Sequence, residues 1–405
     1  MTQVLDGIRV LEVALYAYVP IAGAILADWG ADVVKVEHPE YGDPMRGTAA
    51  WGIPAYTNGF AYLYELSNRG KRAMAVDLKV PEGLEVVLRL AEQADVFMTN
   101  FLPSARRSLG IDVADVMGRN PRIVYARGNG QGARGPDADR GGFDGISYWS
   151  RSGAAISATP PEETWPNAMP GPGFGDVQSG MALAGGIAAG LLYRERTGRG
   201  VVVDGSLLAM GMWAMQPTIV AADLVGLPQL PYPDREVPPN PLANTYRTSD
   251  GRFIMLAMLQ SDRYWAELCT TMGRPDLAGD QRFATAEARE SNTKECTAIL
   301  TEVFATLPLE EWRIRLASQE GQWDVVNLPG ELEKDPQVVA NGYLQEVSYG
   351  DGRSITLVPA PVQFDEEPGQ LGPAPQHGAH TDEVLLELGL DWDEIIQLKL
   401  TGAVG

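Results

Sequence analysis

The stretch IRVLEVALYAYVPIAGAILADWGADVVKVEHP, residues 8–39, decides the fold class. Its first part, IRVLEVA, is rich in β-branched residues and predicts a strand. The next part, PIAGAILADWG, predicts a helix that begins near Pro20 and ends at Gly30, because proline suits the first helical turn and glycine the end of a helix. ADVVKVEHP then predicts a second strand. A strand, a helix and a strand in so short a span indicate a β–α–β unit with parallel strands.

The same alternation continues through the first third of the chain. The runs AMAVDL, ADVFMTN and RIVYARGNG predict strands, and EGLEVVLRLAEQ and SLGIDVADVMGRN predict helices. The expected fold is therefore of the α/β class, with a mostly parallel sheet covered by helices. Ligands of such sheets bind beyond the carboxyl ends of the strands. We expect a site near Glu37 and His38, near residues 77–79 and 100–101, and in the glycine-rich loop after Arg127.

Two common enzyme classes with such a sheet lack their signatures here. A nicotinamide-dependent dehydrogenase would use Glu37 as a ribose-binding acid, but the first turn, ALYAYVPIAG, has no G-x-G-x-x-G for a pyrophosphate. A serine hydrolase would need a G-x-S-x-G elbow and a histidine base. The sequence has no such elbow, and its histidines are His38, His377 and His380, which lie near turns or near the C-terminus.

Composition excludes several classes of partner and site. A formal net charge of −21 disfavours nucleic acid and anionic membranes, because both require a basic surface. The two cysteines, Cys269 and Cys296, favour neither a disulfide framework nor a metal site, and they suit a reducing cytoplasm. The first residues show no secretory signal. We expect a cytoplasmic protein without a metal or a permanently bound cofactor.

The middle and the end of the chain predict a second, smaller domain. Residues 1–220 form the expected large domain, and residues 221–241 read as a proline-rich, extended linker. Residues 242–340 form the expected small domain, which opens with a hairpin that turns at Asp250 and Gly251. Residues 341–405 return to complete the large domain, and HTDEVLLELGLDWDEIIQLK predicts an amphipathic, helical end of the chain.

A single carboxylate stands out in GPGFGDVQSGMALAGGIAAGLLYRERTGRG, where Asp176 precedes a run of small and apolar residues. Aspartate is a favoured N-cap, so Asp176 could simply begin the following helix. A helix N-terminus also favours the ionised carboxylate, and the nearby glycines Gly171, Gly173 and Gly175 would let a substrate approach. An ionised, accessible carboxylate can act as a nucleophile. Both interpretations remain open from these residues alone.

Across nearly its whole length the sequence resembles the class III coenzyme A-transferase family, which is related to the α-methylacyl-CoA racemases. The resemblance rests on several blocks in order, LDGIRVLEV, LADWGADVVKVEHPEYGDPMRG, NRGKRAMAVDLK, ADVFMTNFLP, NPRIVYARGNGQG, GDVQSGMALAGGIAAGLLYRERTGRG and HGAHTDEVLLELGL. It implies a Rossmann-like large domain built from both ends of the chain, a smaller α+β domain, and an interlocked homodimer of two threaded protomers.

The resemblance also implies a reaction and its residues. CoA would move from an acyl-CoA thioester to a carboxylic acid, with Asp176 as the nucleophile and an aspartyl-CoA thioester as a covalent intermediate. A free aspartate has a pKa of about 3.9, so Asp176 is expected to be ionised at neutral pH. The family pattern places CoA contacts at Ala17, Tyr18, His38, Val76, Asp77, Leu78, Lys79, Asn100, Phe101, Leu102, Arg107, Ser108, Gly141, Gly142, Phe143 and Asp144.

Some of these positions have ordinary structural explanations. Phe101 and Val76 could be core residues, and Lys79 could be a solvated surface charge. The basic cluster of Arg69, Lys71 and Arg72 could bind coenzyme phosphates or lie at a solvated strand edge.

The sequence also departs from well-known relatives. Ser108 falls where the formyl-CoA transferases have a phosphate-binding arginine, which Arg107 could replace. The glycine-rich substrate loop of the formyl-CoA transferases has no counterpart near Pro238 to Asn244, so formate and oxalate are poor candidate substrates. A racemase would need a histidine and an acid where this chain has Phe143 and Gln260. Racemase activity and a non-catalytic CoA-binding role remain the alternatives.

Several aromatic residues are candidates for an apolar acyl pocket or for core positions, namely Trp51, Tyr56, Tyr62, Tyr148 and Trp149.

Overall fold

The structure, a computed structural model, describes residues 2–51 and 59–405, and for residues 48–51 it describes the backbone only. The chain forms two compact units. The first comprises Met1–Leu230 and Pro336–Gly405, and the second comprises Pro231–Asp335. The candidate site lies in the first unit, whose fold therefore matters most for function.

A six-stranded parallel sheet forms the centre of the first unit. Its strands are β1 (Arg9–Val13), β2 (Asp32–Glu37), β3 (Arg72–Ala75), β4 (Val96–Thr99), β5 (Val124–Asn129) and β6 (Val201–Ser206). They lie in the order β3-β2-β1-β4-β5-β6, so the chain builds outward from β1 in one direction and from β4 in the other. Leu11 of β1 pairs with Val34 of β2 on one side and with Phe97 of β4 on the other. The predicted α/β class with a parallel sheet is confirmed.

Helices cover both faces of the sheet, which explains why its strands are almost continuously apolar. The helices that precede the second unit are α1 (Tyr18–Asp28), α2 (Tyr62–Asn68), α3 (Pro81–Gln93), α4 (Pro103–Ser108), α5 (Val113–Arg119), α6 (Ala154–Ser157), α7 (Phe174–Thr197), α8 (Leu207–Ala214) and α9 (Gln216–Val225). A 3-10 helix covers Pro44–Trp51, and a π-helical turn covers Gly145–Ser150. Helices α1 and α7 approach closely at Gly180, where a Cβ would lie 2.6 Å from Cγ2 of Ile21. Small residues at such contacts let α7 lie close to the sheet.

Two predicted boundaries in the first unit are wrong. The segment SLGIDVADVMGRN is helical only over α5, because Gly110 adopts a positive φ of 69° and Asp112 then caps the new helix. The predicted linker at 221–241 begins too early, because α9 continues to Val225 and Gly226 ends it in a left-handed conformation. The apolar composition of residues 216–225 favours a helix over an extended segment.

The second unit has its own sheet and core. Antiparallel strands β7 (Thr245–Arg247), β8 (Phe253–Leu256) and β9 (Trp323–Val325) pack with helices α10 (Ser261–Thr271), α11 (Ala286–Ser291), α12 (Thr293–Phe304) and α13 (Leu309–Leu316). Two 3-10 helices cover Pro275–Gly279 and Pro329–Lys334. The predicted hairpin is present as β7 and β8, with Gly251 at a φ of 80° in its turn.

The C-terminal segment belongs to the first unit. Helix α14 (Pro336–Ala340) precedes an antiparallel pair, β10 (Gln345–Ser348) and β11 (Ser354–Leu357), and two helices follow, α15 (Thr381–Glu387) and α16 (Trp392–Leu400). The predicted helical end of the chain is present and consists of two helices, whose boundary was not predicted. Gly389, at a φ of 88°, separates α15 from α16, and both helices pack on one face of the large sheet.

Among the described residues, no single helix has the length and apolar composition to cross a membrane. Helices α8 and α9, which are bent by 66° relative to each other, meet those criteria only as a pair.

Candidate active site

A cavity of about 360 Å³ opens at the carboxyl ends of β1, β4 and β5. Strands β1 and β4 are neighbours from which the chain proceeds in opposite directions, and such a switch point is the usual ligand site of an open parallel sheet. The cavity is lined by Leu15, Tyr16, Ala17, Tyr18, Asn100, Phe101, Leu102, Ala105, Gly128, Asn129, Gly130, Gly141, Gly142, Phe143, Asp176 and Leu207. Most of the lining is apolar or glycine, and among the described residues that line the cavity Asp176 is the one carboxylate.

Asp176 is the third residue of α7, and it is not the N-cap. Gly173 occupies the N-cap position in a left-handed conformation, and no side chain caps the helix there. The alternative that Asp176 only begins the helix is therefore wrong. Position 175 requires glycine, because a Cβ there would clash with Tyr148, whose Cγ would lie only 2.6 Å away. The first turn of α7 is thus pressed against Tyr148, and this packing turns Asp176 toward the cavity that it lines.

The environment of Asp176 opposes its ionisation. Burial, together with the smaller effect of the nearby carboxylate of Asp144, raises the pKa of Asp176 to about 8. The expectation of an ordinary pKa, with full ionisation at neutral pH, is therefore wrong. Removing a carboxylate from water and placing it beside another negative charge both favour the protonated form.

Asp144 is the second member of this acidic pair. Burial raises the pKa of Asp144, while the backbone N–H groups of Gly145, Gly175 and Gly173 lower it. The N–H of Gly145 donates to Oδ1 of Asp144 at 2.8 Å. The carboxylate therefore faces the start of α7, where free N–H groups favour negative charge. The two carboxylates repel each other, and protonation of Asp176 relieves the repulsion.

Several predicted CoA contacts lie together in the cavity with Asp176. They are Ala17, Tyr18, Asn100, Phe101, Leu102, Gly141, Gly142 and Phe143. The side chain of Asn100 has a structural task, because its Oδ1 accepts the N–H of Leu15 at 3.0 Å and its amide donates to the carbonyl of Leu15. Gly142 cannot carry a side chain, since a Cβ would lie 2.3 Å from Oγ of Ser147.

A second group of predicted contacts follows β2 and β3 and does not line this cavity. Nε2 of His38 lies 3.6 Å from Oδ2 of Asp77, and the His38 ring stacks on Tyr41 at 4.6 Å. Oδ1 of Asp77 accepts the N–H of Lys79 at 2.8 Å, and the Lys79 side chain is exposed. Val76 and Leu78 belong to the apolar core on one face of the sheet. The side chains of Val76 and Leu78 therefore pack in the core, which is the structural explanation that the sequence left open for Val76.

The remaining predicted contacts on α4 are Arg107 and Ser108, and the neighbouring Arg106 was not predicted. Arg107 and Ser108 are exposed at the end of α4, whereas Arg106 is buried and pairs with Asp112 at 3.0 Å.

The cluster of Arg69, Lys71 and Arg72 does not offer free charges to a ligand. Arg69 pairs with Asp28 at 2.6 Å, Lys71 is buried against Glu12 at 2.7 Å, and Arg72 pairs with Asp32 at 2.6 Å. The suggestion that this cluster binds coenzyme phosphates is therefore wrong.

Of the aromatic residues considered for an acyl pocket, Tyr148 is buried and its hydroxyl donates to Gln178 at 2.8 Å. The indole of Trp149 donates to the carbonyl of Asn167 at 2.9 Å, and Tyr62 packs against the core. The side chain of Trp51 and all of Tyr56 lie outside the described residues. None of the described three lines the cavity with Asp176.

Sequence reasoning missed other residues of the cavity, namely Leu15, Tyr16, Ala105 and Leu207. It did expect a site in the glycine-rich loop after Arg127, and Gly128, Asn129 and Gly130 of that loop line the cavity. The glycines that end β5 were a usable signal, because glycine at a strand end permits close approach of a ligand. Among the described residues no cluster of His, Cys, Asp or Glu could hold a metal ion, and Cys269 and Cys296 are buried free thiols.

The fold is of the α/β class, and its cavity lies at the switch point of a parallel sheet, where open sheets of this kind usually bind ligands. The chain is 31% identical over 398 residues to the (R)-2-hydroxy-4-methylpentanoate CoA-transferase of Clostridioides difficile, covering 98% of each protein. It is 32% identical over 401 residues to the cinnamoyl-CoA:phenyllactate CoA-transferase of Clostridium sporogenes, covering 98% of this chain and 96% of that one.

The crystal structure of a CaiB/BaiF family protein from Brucella suis superposes with a TM-score of 0.80 at 29% identity, over 95% of this chain and 99% of that one. The sequence model of CoA-transferase family III matches residues 5–381. The chain belongs to CoA-transferase family III and is an enzyme of that class. Enzymes of this class use acyl-CoA as a substrate.

Proposed function

We propose that this enzyme moves CoA from an acyl-CoA thioester to a carboxylic acid, and that Asp176 carries the acyl group and then CoA as covalent intermediates. The observation that carries the proposal is the position of Asp176, the one carboxylate among the described residues that line the switch-point cavity. An apolar cavity with one carboxylate suits a nucleophile that must exclude water. The family membership supplies the reaction class.

The proposed reaction needs no external base. The Asp176 carboxylate attacks the thioester carbonyl, and an anhydride forms as the carbon–sulfur bond breaks and CoA leaves as a thiolate. The thiolate then attacks the aspartyl carbonyl, which gives an aspartyl-CoA thioester and releases the first carboxylate. A second carboxylate repeats these steps in reverse and leaves with CoA. Each step exchanges one activated carboxyl group for another, and no net proton is gained or lost.

The Asp144–Asp176 pair controls when the nucleophile is available. Only the anion of Asp176 attacks, and its pKa of about 8 leaves a minority in that form at neutral pH. We assign Asp144 as a positioning residue that raises the basicity of Asp176 without contacting the substrate. A more basic carboxylate is a stronger nucleophile once it has lost its proton.

We place CoA along the carboxyl edge of the sheet. The thioester lies at Asp176, between the turn after β1 and the residues that follow β4. The nucleotide end lies near His38, Asp77 and Lys79, where an aromatic face and an exposed ammonium group can receive adenine and phosphate. Arg107, exposed on α4, is the proposed second phosphate contact. In this arrangement CoA contacts both groups of predicted residues, those that line the cavity and those that follow β2 and β3.

We also propose that the enzyme is a homodimer, with the threaded arrangement implied by the family resemblance. Helix α9 buries none of its residues in one chain, although it carries Val220, Leu224 and Val225. Trp213 of α8 is 69% exposed beside it. Apolar surface of this extent is typical of an interaction site.

The two buried free cysteines suit a reducing cytoplasm, which we propose as the location.

Transfer assays with substituted enzymes test the proposal. A panel of acyl-CoA donors and carboxylate acceptors is incubated with the wild type and with Asp176→Asn, and new thioesters are measured by mass spectrometry. We expect transfer by the wild type and a loss of at least about a thousandfold in the variant, because the amide is not a nucleophile. Asp393→Asn is the matched control, since Asp393 is an exposed aspartate in the first turn of α16. Normal turnover by Asp176→Asn, with deamidation excluded, would contradict the proposal.

A further inference from the structure

Tyr16 has an unusual backbone conformation at the edge of the candidate active site. Its φ is 66°, and the other described non-glycine residues with positive φ are Asp365 and Glu366. A bulky residue rarely adopts this left-handed conformation, because its Cβ crowds the backbone. Conformations of this kind persist where the surrounding structure enforces them, and they concentrate at functional sites.

Three polar side chains hold the turn that contains Tyr16, each through the backbone of a successive residue. Nζ of Lys35 donates to the carbonyl of Ala14 at 2.7 Å. Asn100 binds both the N–H and the carbonyl of Leu15. Oδ1 of Asp43 then accepts the N–H of Tyr16 at 3.2 Å. The shape of the turn is therefore imposed by side chains from three other parts of the chain.

These holding groups are themselves fixed by a buried charge network. Nζ of Lys35 lies 3.1 Å from Oε1 of Glu12 and 2.9 Å from Oδ2 of Asp43, and the three side chains are fully buried. Buried charges that satisfy one another are costly to rearrange. The turn is thus built before any ligand arrives, and the direction of the Tyr16 side chain is set with it.

The ring of Tyr16 meets the ring of Phe143 in an edge-to-face arrangement, with 5.4 Å between centroids and 87° between planes. Both residues line the cavity with Asp176. Phe143 keeps half of its surface exposed, so an apolar face remains uncovered at the cavity. An apolar cavity of about 150 Å³ holds a benzene molecule. A cavity of about 360 Å³ therefore has room for an aromatic ring as well as the thioester end of CoA.

We propose that Tyr16 determines acyl-group specificity, because with Phe143 it forms an aromatic wall beside Asp176 that selects acyl groups carrying an aromatic ring. This inference rests on the proposed function of Asp176. Aromatic rings pack favourably against other rings in edge-to-face or offset geometry, and an alkyl chain lacks that interaction. The enforced backbone conformation matters because it fixes one face of the wall before the substrate binds.

The test measures acylation of Asp176 by two probes, phenylpropanoyl-CoA and butanoyl-CoA, in single-turnover reactions followed by mass spectrometry. Tyr16→Gly removes the ring and suits the left-handed conformation, so the turn and its hydrogen bonds are retained. We expect the wild type to prefer phenylpropanoyl-CoA, and the preference to fall about tenfold in Tyr16→Gly. Tyr16→Phe keeps the ring and should retain the preference. Tyr343→Ala, at an exposed tyrosine, is the control and should leave the preference unchanged.

The outcomes separate this inference from the proposed function. If neither probe, nor any other acyl-CoA, acylates Asp176 in the wild type, the proposed function fails. If both probes acylate Asp176 but Tyr16→Gly keeps the wild-type preference, the specificity role of Tyr16 is wrong. A wild-type preference for butanoyl-CoA would likewise overturn the inference.

Discussion

Replacing Asp176 by asparagine should stabilise the protein at alkaline pH. In the unfolded chain the aspartate has a pKa near 3.8, and in the folded chain burial and Asp144 raise the pKa to about 8. A raised pKa means that folding favours the protonated form. The associated stability is fully present below pH 3.8 and is lost as the pH rises through 8. Above that pH the wild type retains a charged carboxylate in an unfavourable place, and the asparagine variant does not.

The size of this effect can be bounded. At about 1.4 kcal/mol per pKa unit, the upper limit is about 6 kcal/mol. Asp176 is partly exposed, protonation of Asp144 would remove part of the repulsion, and the N-terminus of α7 stabilises negative charge by up to about 1 kcal/mol. We therefore expect about 2–3 kcal/mol at pH 9. With an unfolding entropy of about 2.1 cal/mol/K per residue over 405 residues, this corresponds to about 3 °C in Tm.

Thermal melting of both proteins between pH 5 and pH 9 provides the assay. The melting temperature of Asp176→Asn should exceed that of the wild type at pH 9, and the difference should shrink steadily toward pH 5. Asp393→Asn, at an exposed carboxylate, should show no such trend. An Asp176→Asn variant that melts at or below the wild-type temperature at pH 9, or a difference that does not depend on pH, would refute the raised pKa.

Other perturbations test further parts of the account. Asp144→Asn should move the alkaline rise of the acylation rate to lower pH, because it removes the charge that raises the pKa of Asp176; an unchanged pH–rate profile would exclude this coupling. Glu12→Gln should destabilise the fold by about 3–5 kcal/mol in denaturant titrations, because Glu12 pairs with two buried lysines; a loss under 1 kcal/mol would contradict this. An α-methylacyl-CoA should gain no α-deuterium in deuterated water, since Phe143 offers no base, and rapid incorporation would support a racemase. Light scattering should show a dimer that resists high salt, and a monomer would disprove the threaded arrangement.

The sequence predicted the sheet and the place of the cavity well, because both depend on local patterns. Apolar runs bounded by glycine and proline located the strands, and the general rule about their carboxyl ends pointed to residues 100–101 and to the loop after Arg127, which line the cavity. Residues 17–18 and Leu102, which also line it, were expected from the family resemblance. The failures at α5, α9 and α16 are boundaries, where one glycine or a cap decides the end of a helix. A single glycine or cap contributes little free energy compared with tertiary packing, so the end of a helix is hard to predict from sequence.

The electrostatics of the site could not be predicted from the sequence. The pKa of Asp176 depends on its burial and on Asp144, which is distant in sequence and near in space. Arg69, Lys71 and Arg72 looked like a coenzyme-binding cluster, but each has an internal acidic partner that only the fold reveals. The conformation of Tyr16 is also set by distant side chains, and tyrosine itself gives no signal of it.

The most direct measurement is the capture of a covalent adduct on Asp176. The enzyme is incubated with an acyl-CoA donor that supports transfer and is then digested with trypsin, which releases the peptide 152–194. Fragmentation should locate the mass of the acyl group or of CoA on Asp176, and hydroxylamine should replace it with a hydroxamate while inactivating the enzyme. The peptide should carry no adduct in Asp176→Asn. An enzyme that completes transfer without any adduct on this peptide, or with the adduct on another residue, would contradict the assignment of Asp176 as the nucleophile.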